Sequence, residues 1–184
     1  MALITIIVGR AAQFLIALIT LRVATTLLSP EEMGKVALVV TTTAFFALLL
    51  INPVGMFINR LLHAWQASGR GVGYLVRYAG YIALVATIAA ISLPLFVMTG
   101  LISFGIPTVW LIALVCGSVI FNTVNQTAIP CLNLLGDSRR FILLTVATLI
   151  ASFIAAVTLV QTVQRTAEYW ILGILLGQAL LALV

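Results

Sequence analysis

The chain has 184 residues, 64% of them apolar and 7% charged, with mean hydropathy +1.29 and a formal net charge of +5 at pH 7. A soluble domain carries about 25% charged residues, so this composition cannot cover a water-facing surface and calls for lipid as its solvent. The nine basic residues stand singly or in one pair, which excludes a nucleic-acid surface and fits a charge surplus that sets membrane topology.

Six apolar segments are predicted, at 3–28, 34–62, 74–98, 107–135, 139–161 and 168–184. The first five exceed the about 20 residues that a bilayer core requires. The first is too long, and too interrupted by Arg10 and Arg22, for a cleaved signal peptide. An arginine at membrane depth costs at least about 2.5 kcal/mol. Arg22 lies seven residues before Pro30, roughly 10 Å along a helix. It either snorkels to the outer headgroups or faces a water-filled cavity and attracts an anion. Arg10 has the same choice on the inner side. In a cavity the arginine fork suits phosphate oxygens, and a pyrophosphate-linked lipid would be such an anion. Ser29-Pro30-Glu31-Glu32 then reads as a helix start, with Ser29 as N-cap, Pro30 in the first position and acids in the first turn.

In the second segment Thr41, Phe45, Leu48, Asn52, Met56, Asn59 and His63 follow helical spacing and form one stripe. Its asparagines, threonine and histidine suit neighbouring helices or a wet cavity better than lipid. Asn52-Pro53-Val54-Gly55 predicts a kink, because proline removes a backbone donor and frees carbonyls. Arg60 follows near the inner surface, as a topology signal or as part of the same wet path.

The fourth segment carries a weaker stripe of Asn122, Gln126 and Asn133, with Asn125 beside it and Pro130 as a break. Its cysteines, Cys116 and Cys131, are fifteen residues apart, roughly 22 Å on one helix, so they are predicted to be free. They also lack metal-ligand spacing. In the fifth segment Thr145, Thr148 and Ser152 line up as a close-packing face. The sixth opens with "EYWILGILLGQALLALV" and the sequence stops inside it, which reads as a truncated chain or as one lobe of something larger.

The connections after segments two and four hold Arg60, Arg70, Arg77, Arg139 and Arg140, whereas those after one, three and five have net charges of about −1, 0 and 0. This predicts a cytoplasmic N-terminus and an external Pro-Glu-Glu turn, in a multi-pass membrane protein.

The first-segment arginine, "LLSPEEMGKVALV" and "INPVGMFINR" resemble the opening of polysaccharide and O-antigen flippases. These belong to the multidrug/oligosaccharidyl-lipid/polysaccharide exporter superfamily. Its members commonly show a leucine, glycine or serine, proline, two glutamates, an aromatic and glycine at this turn; here Met33 replaces the aromatic. "CLNLLGDSRRFILLTV" is similar to the polar, arginine-rich turn before the fifth helix of these proteins. The resemblance implies an all-α integral membrane bundle of about six transmembrane helices, residues 1–184 being the N-terminal lobe of a two-lobe transporter. It implies a second lobe as partner, either a C-terminal half or a second copy. It also implies flipping of lipid-linked oligosaccharide or polysaccharide precursors, with a polyprenyl-pyrophosphate-linked glycan as partner, in the inner (plasma) membrane. Arg10, Arg22, Asn52, Asn59 and Arg60 are the cavity candidates that the residues themselves offer.

No enzyme is expected, and no cofactor or metal: there is no phosphate loop, nucleophile motif or metal-spaced ligand set. Glu31, Glu32, Asp137 and Glu168 are the four carboxylates, and all stand in loops or at segment ends. Two other readings remain. One is a multidrug exporter of the same superfamily, which would favour an acid at membrane depth. The other is a non-transporting membrane assembly subunit, whose polar stripes would only bind neighbouring helices.

Overall fold

The computed structural model describes residues 2–67, 69, 71–100, 104–134 and 136–182; the side chains of 2–5, 62, 63, 66, 67, 71, 72, 128, 181 and 182 lie outside that description. The His63 side chain and Arg70 are therefore outside the described residues.

Among the described residues every regular element is helical. In chain order they are α1 (Ala2–Leu27), α2 (Pro30–Phe46), a π-helical turn (Ala47–Ile51), α3 (Asn52–Ala67), α4 (Gly71–Met98), α5 (Thr108–Leu134), α6 (Ser138–Thr162) and α7 (Ala167–Ala182). The six predicted segments are all present, the second as α2, the π turn and α3 joined end to end. It starts at Pro30 because Ser29 caps it: the Glu32 N–H donates to Ser29 Oγ at 3.3 Å.

Ile6–Leu27, Pro30–Leu61, Gly73–Met98, Thr108–Leu134 and Ser138–Thr162 are each long and apolar enough to cross a membrane; the apolar stretch Ala167–Leu180 is shorter. Phe14, Leu48, Ile91 and Leu143 are each more than 60% exposed, which only a hydrocarbon solvent tolerates in such numbers. The chain is an all-α, multi-pass membrane protein.

The helices form two compact units, one from Met1–Leu38 with Leu132–Val184 and the other from Val39–Cys131. In the first unit Gly9 of α1 meets Ile142 of α6, while Ala24 and Leu28 pack with Ala156 and Val160. These pairs make α1 parallel to α6. Helix α7 runs antiparallel to α6, with Gly173 against the backbone at Ala156 and Gly177 against that at Ser152. Trp170 completes the core against Ala156 and Val160 and is 2% exposed. Ser152 Oγ donates to the Ile174 carbonyl at 3.1 Å, so part of the predicted close-packing face is the surface that α7 covers. Thr148 is buried on α6 as Ser152 is, and Thr145 and Thr148 donate to the carbonyls of Phe141 and Leu144 on their own helix.

One carboxylate ties two helix starts together. Glu32 Oε2 accepts from the Ala167 N–H at 2.6 Å and Oε1 accepts from Lys35 Nζ at 2.6 Å. An anion at a helix N-terminus satisfies an otherwise unpaired donor and complements the helix dipole. The α1–α2 and α6–α7 connections therefore share one end of the unit. At the other end Gly136, with φ of +90°, lets α5 turn, and Asp137 caps α6 by accepting from the Arg140 N–H at 3.1 Å. Glu32→Gln keeps the shape and removes the charge. Loss of a charged hydrogen bond predicts a fall in unfolding temperature of roughly 3–12 °C in detergent. Glu31→Gln, at a side chain 82% exposed, should move it by about 1 °C or less. Equal shifts in the two variants would show that Glu32 holds nothing in particular.

In the second unit Leu111, Leu114, Val115 and Val119 of α5 are essentially inaccessible, and Ile58, Tyr78 and Ile82 knit α3 to α4. Cys116 Sγ lies 3.3 Å from the Ala86 carbonyl, and both cysteines are free thiols.

Candidate functional site

The composite span breaks where the sequence reads Asn52-Pro53-Val54-Gly55. Pro53 has no N–H, and in an α-helix its ring would strike the carbonyl four residues earlier. The chain widens by one π turn ahead of it. The Asn52 N–H donates to the Ala47 carbonyl, five residues back, while the backbone stays right-handed on both sides (Phe46 φ −63°, ψ −40°; Asn52 φ −58°, ψ −42°). Such turns shift the residues that follow around the helix and often sit at functional positions.

The inner side of the break is tied down step by step. Tyr81 Oη of α4 donates to the Leu50 carbonyl at 2.7 Å, inside the π turn. Gly55 is buried, and a Cβ there would stand 3.2 Å from Tyr78 Oη and 4.0 Å from Thr127 Oγ1. Those two hydroxyls lie 3.3 Å apart. One turn later Asn59 is half-buried, with Cys131 Sγ at 3.9 Å from its Oδ1, a weak contact. Tyr78 and Tyr81 were not singled out in the sequence. Their signal was the spacing of Tyr74, Tyr78 and Tyr81 in "YLVRYAGY", which puts three hydroxyls on one helix face.

The outer side is left open. Asn52, Pro53, Met56, Phe57 and Arg60 are all exposed. The Asn52 carboxamide makes no hydrogen bond among the described residues. The stripe of Thr41, Phe45, Leu48, Asn52 and Met56 thus points away from the packing of its own unit; buried positions are Val39, Thr43, Phe46, Ile51 and Ile58. Packing among the described helices of its own unit does not account for Asn52.

In the first unit Arg10 and Arg22 are exposed on α1. The Arg10 guanidinium lies over the Phe141 ring, 5.6 Å from its centroid, and donates to Gln13 Oε1 at 3.1 Å. Phe141 is in the first turn of α6, so Arg10 stands near one end of the span. Arg22 adjoins Val23 and Ala24, which pack in the cluster with Ala156 and Val160 of α6, toward the other end of the span Ile6–Leu27. Asn125 donates to the Phe121 carbonyl at 2.8 Å, and its buried Oδ1 has no partner among the described residues. Asn133 Oδ1 accepts from Ser138 Oγ at 2.8 Å, across the α5–α6 turn. Among the described residues no three His, Cys, Asp or Glu side chains converge. No family model, curated protein or solved structure matches the chain.

Tyr81→Phe removes the hydroxyl on the π turn and keeps the ring. A neutral hydrogen bond contributes about 0.5–1.5 kcal/mol, so a modest fall in stability is expected. Faster amide exchange at residues 47–55 should accompany it. Unchanged exchange there would mean that Pro53 alone maintains the turn.

Proposed function

We propose that the chain is one lobe of a flippase that carries the polar head of a lipid-linked oligosaccharide or polysaccharide precursor across the inner (plasma) membrane. The observation that carries this reading is Asn52, an exposed carboxamide inside the apolar span Pro30–Leu61, just after the π turn. A side chain that both donates and accepts hydrogen bonds is poorly served by hydrocarbon. Sugar hydroxyls and phosphate oxygens would serve it well. In the other unit, Arg22 separately offers a fixed positive charge with a planar fork that suits a diphosphate. Alternating access needs a second lobe, either a C-terminal half or a second copy of the chain. The glycan head would travel in water while the lipid tail stays in the bilayer.

An outward-facing asparagine also suits a helix of another protein, which supports a non-transporting assembly subunit as the second reading. A cation-driven drug exporter is less well supported, since no carboxylate stands between Glu32 and Asp137. Removal of the protein separates the three. The flippase reading expects lipid-linked oligosaccharide trapped on the cytoplasmic leaflet, loss of surface glycan and unchanged tolerance of cationic dyes. Lost dye tolerance with normal glycan would make the chain a drug exporter. Loss of a membrane complex with both exports normal would make it an assembly subunit.

The N-terminus is assigned to the cytoplasm from the loop arginines. Single cysteines at positions 31 and 70, without Cys116 and Cys131, report this with an impermeant thiol reagent in intact cells. Labelling at 31 and protection at 70 are expected; the opposite pattern inverts the topology.

A further inference from the structure

The residues from 39 to 131 contain no Asp, Glu or Lys, yet they hold Arg60, Arg70 and Arg77, all around the α3–α4 connection. No carboxylate of this unit can neutralise them, so their counter-charge must come from elsewhere.

The side chains around them are arranged as a ladder. Phe57 meets Trp65 edge to face, with centroids 6.3 Å apart and planes at 67°. Trp65 stacks on Tyr74 across the helix pair at 4.0 Å and 11°. The Arg77 guanidinium lies over the Tyr74 ring, 5.5 Å from its centroid. Arg60 is exposed one turn after Phe57, on the same face of α3. A guanidinium held by its face keeps its N–H donors, which lie in its plane, free to meet oxygens at the edge. The apolar spans end at Leu61 and resume at Gly73, so the ladder lies where tails give way to headgroups. Trp and Tyr favour that depth.

We propose that Phe57, Trp65, Tyr74, Arg60 and Arg77 form a binding site for the phosphate headgroup of an anionic phospholipid. The rings would lie against the upper acyl chain and glycerol while the two arginines hold the phosphate. The site does not rest on the flippase reading: it binds bilayer lipid whether or not the chain moves a substrate, and it gives Arg60 this role in place of the cavity role expected from the sequence.

The test is fluorescence quenching of the purified chain in phosphatidylcholine nanodiscs. A small fraction of the lipid is replaced by brominated phosphatidylglycerol or by brominated phosphatidylcholine. Trp110→Phe and Trp170→Phe leave Trp65 as reporter. Because Trp170 is a core residue, native mass spectrometry of the unmodified chain counts retained phosphatidylglycerol in parallel. Brominated phosphatidylglycerol should quench Trp65 in preference to brominated phosphatidylcholine. Each arginine should account for about fivefold in that preference, so Arg60→Gln and Arg77→Gln should each reduce it by that factor, and together abolish it. Arg77→Lys should recover part of it. Tyr74→Leu, which keeps the charges and removes the stack, should weaken retention of phosphatidylglycerol in the mass spectrum. Equal quenching by the two lipids, or a preference that survives both arginine changes, would overturn the site. So would abolition of the preference by millimolar inorganic diphosphate, which would identify a free-anion site.

Discussion

Gly177→Leu is expected to eliminate most of the folded, monodisperse protein recovered in detergent. Helices α6 and α7 meet through small residues, Ser152 and Ala156 on one side and Gly173 and Gly177 on the other. A Cβ added to Gly177 would fall on the backbone N and Cα of Ser152, and one on Gly173 on the backbone of Ala156. Backbone cannot rotate out of the way, so the helices would have to part. The Ser152 bond to the Ile174 carbonyl and the Trp170 core would be lost with them. Gly177→Ala and Gly173→Ala should each destabilise by about 1–3 kcal/mol, and leucine by more. Gly9→Ala is the instructive contrast, since its Cβ meets only the branches of the Ile142 side chain, at 2.6–2.9 Å. That side chain can turn, so the effect should be smaller. Gly80→Ala, with nothing within 4 Å, should be neutral or slightly stabilising through helix propensity. Thermal unfolding followed by tryptophan fluorescence ranks the series. Wild-type melting of Gly177→Leu would show that α7 does not need this contact.

Arg22→Ala should lower surface glycan per unit of inserted protein by at least tenfold, if the arginine meets a phosphate-bearing head group. Arg22→Lys should restore part of it, because a point charge still attracts an anion but loses the two-pronged contact. Asn52→Leu should behave like Arg22→Ala, and Asn52→Gln should retain some export. Arg10 makes a useful comparison. It leans on Phe141 in the first turn of α6, where a headgroup anchor would stand, so Arg10→Ala should cost less. The assay is run in a strain lacking the protein, with the whole open reading frame supplied and membrane insertion measured beside export. Full export by both Arg22→Ala and Asn52→Leu would remove the two residues on which the flippase reading depends most.

The helices were legible because length, hydropathy and punctuation agree. Ser29-Pro30 and Gly136-Asp137 mark the helix ends where the structure has them. The polar line through Asn52 was legible as well, but not the direction it faces. Spacing groups residues on one side of a helix without saying what lies opposite. The π turn was only half legible. Pro53 announces a break, yet a widened turn and a sharp bend share the same sequence, and the Tyr81 hydroxyl that joins it comes from 31 residues away. The Glu32 bond to Ala167 spans 135 residues. From sequence that glutamate reads only as part of its own helix start. Gly173 and Gly177 carried a recognisable spacing, but the segment's uniform apolarity hid which side was the tight one.

The division of the chain has a consequence for how it is made. One unit is a continuous stretch, Val39–Cys131, and the other is assembled from both ends of the sequence. Helix α1 leaves the ribosome about 110 residues before α6, roughly 5–20 s at usual elongation rates. Throughout that interval α1 carries Arg10 without Phe141, and Glu32 has no helix start to cap. The continuous unit can form while α1 waits. The nascent first helix, with its two arginines, therefore needs shelter from the insertion machinery until α6 and α7 arrive. A ribosome stalled before Ser138 should hold α1 in crosslinking range of that machinery, and one stalled well beyond Ala182 should have released it.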